Sequence, residues 1–147
     1  MSTFMTAREL EATVDQVFAA ISDPSRLARW WGPAGFSNTV THCEFVVGGR
    51  WEFTMHGPDG GSYTNECRFA EIDAPHAVLI EHVNEPRFTL QIRLGAVGTT
   101  TRVTWVQVFE SAEVARRVAH MVVPSNEQNL DRLAREVQRG SASGLTV

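Results

Sequence analysis

Two periods divide the chain. From Thr13 to Trp31, and again from Ser111 to Gly140, apolar residues recur every three or four positions, as on one face of a helix. Between Ser37 and Glu110 the period drops to two, the mark of strands with one covered face. Thr13 with Gln16 three residues on forms a capping box, so Val14 to Ile21 is a short helix. Asp23-Pro24 places a capping acid before a proline at the first helical position, starting a second helix that runs to Trp30-Trp31 and stops at Gly32-Pro33. The last helix starts at Ser111, carries Val114, Val118, Val122, Leu130, Leu133 and Val137 on one face, and ends at Arg139-Gly140. About 27 residues at ~1.5 Å each make a rod of roughly 40 Å. Pro124 inside it removes one backbone bond.

The strands read as Thr3–Ala12, Ser37–Val47, Arg50–His56, Ser62–Asp73, His76–Val83, Arg87–Leu94 and Thr99–Glu110. Short turns rich in Gly, Pro, Asn and Asp join most of them, with no intervening helix after Ser37, so an antiparallel meander is expected. Trp51, Phe53 and Met55 face one way; Glu52, Thr54 and His56 face the other. One sheet face is therefore covered, and the long helix is the element able to cover it. The expected architecture is α+β: a curved antiparallel sheet around a long C-terminal helix, with two short helices near the N-terminus. The domain spans residues 1–140, and residues 141–147, small and polar, form a frayed tail.

Composition narrows the function. The net charge of −4 leaves no electrostatic footprint for nucleic acid or an anionic membrane. No run approaches 18 apolar residues and no signal segment is seen, which makes the cytoplasm the expected compartment. Cys43 and Cys67 sit in strands without a CxxC spacing and read as small buried hydrophobes. The histidines at 42, 56, 76, 82 and 120 show no metal-ligand spacing, so no metal or cofactor is expected. There is no nucleophile elbow, phosphate-binding loop or dinucleotide fingerprint. His42 and His82 are the histidines able to approach a cavity, subject to a one-residue slip in strand phase.

The sequences Asp23-Pro24 through Trp30-Trp31-Gly32-Pro33-Ala34-Gly35-Phe36, Gly48-Gly49-Arg50-Trp51, Gly57-Pro58-Asp59-Gly60 and Asn126-Glu127-Gln128-Asn129-Leu130-Asp131-Arg132-Leu133 resemble the START-related helix-grip (SRPBCC, polyketide cyclase-like) superfamily. Within it they resemble the bacterial branch named for similarity to the activator of the heat-shock-protein-90 ATPase. The resemblance covers about Phe4 to Val137 and implies six or seven strands gripping the long helix, with a cavity between them. The superfamily includes lipid carriers, hormone receptors, cyclases and chaperone partners. The branch takes its name from a larger eukaryotic co-chaperone with a second domain, whereas these 147 residues read as one.

A cavity would take Trp51, Phe53, Met55, Tyr63, Asn65, Cys67, Phe69, His82, Phe88, Leu90, Ile92, Val103, Trp105 and Gln107 from the sheet. Val118, Met121, Val122 and Asn126 would come from the helix. Trp31 and Phe36 would form a lid at its mouth, since adjacent tryptophans on a helix point about 100° apart and one must stay partly exposed or line an opening. The leading expectation is a protein that binds a small hydrophobic molecule. A cyclase- or dehydratase-type enzyme and a protein-binding module stand beside it, and homodimerisation through an apolar patch or sheet edge is left open.

Overall fold

The structure, a computed structural model, describes residues 2–145, with side chains through residue 140. Strand β1 (Thr3–Leu10) leads into helices α1 (Val14–Ser22) and α2 (Pro24–Trp30). The strands β2 (Ser37–Cys43), β3 (Arg50–His56), β4 (Ser62–Asp73), β5 (Ala77–His82), β6 (Phe88–Val97) and β7 (Thr100–Phe109) follow, and α3 (Ala112–Leu145) closes the chain. The seven strands form one antiparallel sheet in the order β1-β7-β6-β5-β4-β3-β2. The meander therefore runs from β2 to β7, and β1 adds to its far side, so that β1 and β2 are the two edges.

Local chemistry accounts for the helix starts. Thr13 Oγ1 accepts from the Gln16 backbone N–H at 3.1 Å while the Gln16 side chain accepts from the Thr13 N–H at 2.9 Å. Asp23 accepts from the N–H groups of Ser25 and Arg26 ahead of Pro24. Ser111 Oγ accepts from the Val114 N–H at the head of α3. The far end of α3 differs from the sequence reading: the helix continues past Gly140 to Leu145. A glycine costs only about 1 kcal/mol inside a helix, and a Cβ at Gly140 would lie 2.3 Å from the Arg26 guanidinium. The tail expected at 141–147 falls in part outside the described residues.

The strand β2 stops at Cys43 rather than Val47. Gly48, with φ of +80°, and Gly49 make a tight turn pinned to β4: the Gly48 N–H donates to the Phe69 carbonyl and the Phe69 N–H to that of Gly49. A β-bulge between Val40 and His42 reverses the side-chain phase within β2. His42 consequently pairs with Glu52 on the outer face and contacts Glu44 at 2.6 Å, while Cys43 joins the inner face beside Trp51.

The core lies between the sheet and the three helices. Leu130, Leu133 and Val137 of α3 are at most 1 % exposed, as are Val17 and Ile21 of α1 and Leu27 and Trp30 of α2. Outer ties hold α3 to its supports. Arg8 of β1 donates to Glu127 at 2.9 Å and pairs with Asp131, and Thr6 donates to Glu127 at 2.6 Å. On the other flank Arg26 and Arg29 of α2 both reach the buried Glu136 carboxylate. Glu127 stands at the middle of α3, and Asp131, Glu136, Leu130, Leu133 and Val137 all lie in its second half. In the first half Ala115 is buried, Val118 and Val122 are half-buried, and Met121 and Val123 are more than half exposed. The grip of sheet on helix is thus asymmetric.

Candidate functional site

The asymmetry leaves a recess of about 300 Å³ under the first half of α3. Its floor is Leu90, Trp105, Gln107 and Phe88 of β6 and β7; one wall is Met121, Val122, Ser125, Asn126 and Asn129 of α3. The loop Trp31-Gly32-Pro33 and Met55 close one side, and Asn65, His82 and Pro86 the other.

The position of Trp31 follows from where α2 ends. Trp30 is the last helical residue, is fully buried, and donates its indole N–H to the Ala20 carbonyl at 2.9 Å. Trp31 has extended backbone, so the angular offset of helical neighbours no longer separates the two rings, whose centroids are 5.8 Å apart. Both are buried, and Trp31 lines the recess. The loop after it is held from α3. Asn129 donates to the Trp30 carbonyl at 2.8 Å and accepts from the Gly32 N–H at 3.2 Å. Arg132 donates to the carbonyls of Arg29, Trp31, Gly32 and Pro33. Gly32, at φ of +101°, holds a backbone conformation that residues with a side chain rarely adopt, and a Cβ there would also displace Met55 Cε, 2.8 Å away.

Among the described residues His82 is the sole titratable side chain in the lining. It stacks on Phe88 with centroids 4.5 Å apart. Its Nδ1–H donates to the Pro86 carbonyl at 2.8 Å, and Nε2 lies 2.7 Å from Asn65 Oδ1. Burial lowers its pKa below the ordinary histidine value; the Pro86 and Asn84 backbone and the Glu85 charge oppose that shift more weakly. Both ring nitrogens face oxygens, so the neutral ring satisfies one contact and the imidazolium both. The Asn65 amide is anchored by the Tyr63 carbonyl, and Asn126 donates to Gln107 at 3.1 Å. The indole N–H of Trp105 has no partner among the described residues, although the side chain is buried.

Of the residues expected in a cavity, the structure brings Trp31, Met55, Asn65, His82, Phe88, Leu90, Trp105, Gln107, Met121, Val122 and Asn126 together around this recess. It places the others elsewhere. Trp51, Phe53, Cys67, Phe69, Ile92 and Val103 are in the solid core, each at most 3 % exposed. Phe45 seals that part of the sheet by packing on Phe69 at 4.8 Å, with Phe18 of α1 behind it, and Trp51 stacks on Phe53 and Phe69. Tyr63 is half exposed, because the start of β4 projects beyond the covering helices, and its ring meets Phe36 instead. Phe36 packs beyond the recess, over Gly57 and Tyr63, rather than at its mouth. Val118 is half-buried outside it. The sequence reading missed Gly32, Pro33, Pro86, Ser125 and Asn129. Asn129 left a usable signal: together with Asn126 it interrupts the apolar stripe between Val122 and Leu133 with a polar side chain.

Burial disfavours the thiolate at both cysteines. It pushes the Cys43 thiol up to about 11 and that of Cys67 further, and both are free. Among the described residues no group of three His, Cys, Asp or Glu is placed to hold a metal ion, and no helix is long and apolar enough to cross a membrane.

The arrangement of sheet, helices and recess coincides with a sequence match over residues 11–138 to the family described as "Activator of Hsp90 ATPase homolog 1-like protein". The chain belongs to that family. Solved structures of proteins from several bacteria are similar to it in fold. A protein from Arthrobacter aurescens, solved by solution NMR, is 28 % identical with a TM-score of 0.85, covering 94 % of this chain and 87 % of that one. A crystal structure from Mycobacterium smegmatis is 26 % identical with a TM-score of 0.78, covering 97 % and 92 %. Another, from Nitrosomonas europaea, is 20 % identical with a TM-score of 0.85, covering 95 % and 96 %. No functionally curated protein matches the sequence.

Proposed function

We propose that the protein binds a small, uncharged, largely apolar molecule in the recess under the first half of α3, in the cytoplasm and without transforming it. The observation that carries this reading is the lining. Aromatic and aliphatic faces of Trp31, Phe88, Leu90, Trp105 and Val122 surround a few convergent polar groups, and no Asp, Glu or Arg is among them. An ionic ligand would find no counter-charge there. The unpartnered Trp105 N–H, with the amides of Gln107 and Asn126, suits a molecule bearing a hydrogen-bond acceptor.

Native mass spectrometry of the protein purified from its own host tests the reading. The expected result is a retained small molecule that disappears when Ser125→Trp fills the recess while the melting temperature is kept. An unliganded mass, together with unchanged indole fluorescence on titration with a panel of small apolar carbonyl compounds, would refute it. A cyclase- or dehydratase-type reaction has one observation in its favour, His82 in the wall as a proton acceptor. It lacks a second titratable group opposite. Turnover of the retained molecule, lost in His82→Gln with binding preserved, would select that reading instead.

A further inference from the structure

A second concavity, also about 300 Å³, lies where α2 meets the second half of α3. It is lined by Arg29, Arg132, Arg135, Glu136 and Arg139, and Arg26 stands behind Glu136. Five of the chain's 13 cationic side chains converge there, and all 13 are arginines, since the sequence has no lysine. Among the described residues the opposing charges are Glu136 and, at the start of α2, Asp23, which acts on Arg29. Five positive against two negative leaves +3 on one corner of a chain whose net charge is −4.

The carboxylate of Glu136 is already consumed. Arg26 donates to it at 2.9 Å, Arg29 at 3.0 and 3.1 Å, and Arg139 lies 3.3 Å away. Among the described residues Arg132 has no carboxylate partner. Its guanidinium is fixed by four backbone carbonyls, half removed from water, and faces the like charge of Arg135 one turn along α3. Among the described residues Arg135 has no acidic partner. Burial and the Arg135 charge both press against the charged state of Arg132. A surplus of positive charge around a molecule-sized hollow, with the Arg135 guanidinium fork unpaired among the described residues at its rim, suits the planar, two-pronged recognition of phosphate oxygens.

We propose that this hollow between α2 and α3 binds a small phosphate-bearing anion. Arg135, unpaired among the described residues, turns onto the anion; Arg139 joins it by leaving its 3.3 Å contact with Glu136, which Arg26 and Arg29 still hold, and Arg29 and Arg132 form the charged floor. Because Arg132 also holds the carbonyls of the loop that lines the recess, the two sites share one structural element.

Inorganic pyrophosphate, titrated into the full chain by calorimetry at constant ionic strength with chloride as balance, is the probe. Saturable binding at one site per chain is expected. Arg135→Gln with Arg139→Gln should weaken it at least tenfold while leaving the unliganded melting temperature nearly unchanged, as both side chains are largely exposed. The paired control is Arg116→Gln with Arg117→Gln, which removes the same charge from the exposed first half of α3 and should leave affinity intact. Equal loss in the control would show that net charge alone is responsible and would overturn the proposal. So would heats no larger than those of chloride, or binding confined to anionic lipid vesicles or an acidic peptide with no pyrophosphate response. Glycerol phosphate and inorganic phosphate, run in parallel, separate an esterified ligand from the free ion.

Discussion

Trp105 shows how one residue serves both the core and the recess. Its ring is 2 % exposed, packs 6.2 Å from Trp30 and 6.1 Å from Trp31, and still forms part of the recess floor. Trp105→Ala removes a large apolar area from a site braced by two other tryptophans, and should cost about 3–5 kcal/mol in urea denaturation. Trp105→Phe keeps most of the ring and deletes the unpartnered N–H, whose burial itself costs roughly 1–3 kcal/mol. It should therefore lose less than about half as much; equal losses would mean that the indole N–H is satisfied in solution. His82 makes a prediction in pH. Its folded pKa lies below the unfolded value, so the unfolded chain binds more protons in the window between the two. Its stabilising contribution is present above about pH 6.5 and is lost as pH falls toward the folded pKa. The difference in melting temperature between wild type and His82→Gln should accordingly narrow from pH 7.5 to pH 5, and a constant difference would contradict the shift. Which histidine would matter was only half legible. Alternation places both His42 and His82 inward, and the bulge after Val40, which has no glycine or proline to announce it, turns His42 out.

Among the elements, α3 carries the sharpest contrast between pattern and packing. Its apolar spacing is regular from Val114 to Val137, so the sequence reads as one uniformly buried face. Periodicity reports which residues share a face, not how far the partner surface extends beneath them. The strands β3 to β7 were legible to within a few residues because turn residues bound them. The limits of the recess were not, because they depend on where Phe45 folds back over Phe69 and where α1 and α2 end. Those contacts filled the region of Trp51, Phe53 and Phe69 and left that of Phe88 and Gln107 open. The consequence is measurable. Leu133→Ala, at a fully buried position, should cost about 2–5 kcal/mol, whereas Val122→Ala, at the half-buried edge of the recess, should cost under about 1 kcal/mol. Val122→Glu is expected to be milder than a buried charge, since its carboxylate can reach water through the open side. Similar melting temperatures for Leu133→Ala and Val122→Ala would show that both halves of the helix are equally gripped.

At the scale of the whole molecule, stability is concentrated where all three helices meet the sheet, and the recess sits under the part of α3 that this cluster does not hold. From Asn129 to Val137 the helix buries Leu130, Leu133 and Val137 and is tied by Arg8, Arg26, Arg29 and Arg132 to its surroundings. From Ala112 to Ser125 its described side chains bury Ala115 alone, and Pro124 interrupts the backbone ladder near the junction. Segments with few buried apolar contacts open locally at a fraction of the global unfolding free energy. Amide hydrogen exchange should therefore be faster for residues 115–123 than for 130–138, on the order of 100-fold, which corresponds to about 2.7 kcal/mol. Such opening would admit a ligand to the recess without unfolding the domain. A molecule held between Val122 and Trp105 binds only the closed helix, so it should slow exchange across 118–126 in proportion to its occupancy and leave 130–138 unchanged. Uniform protection along α3, insensitive to ligand, would mean that the first half is as firmly packed as the second. Entry would then have to proceed with the helix fixed.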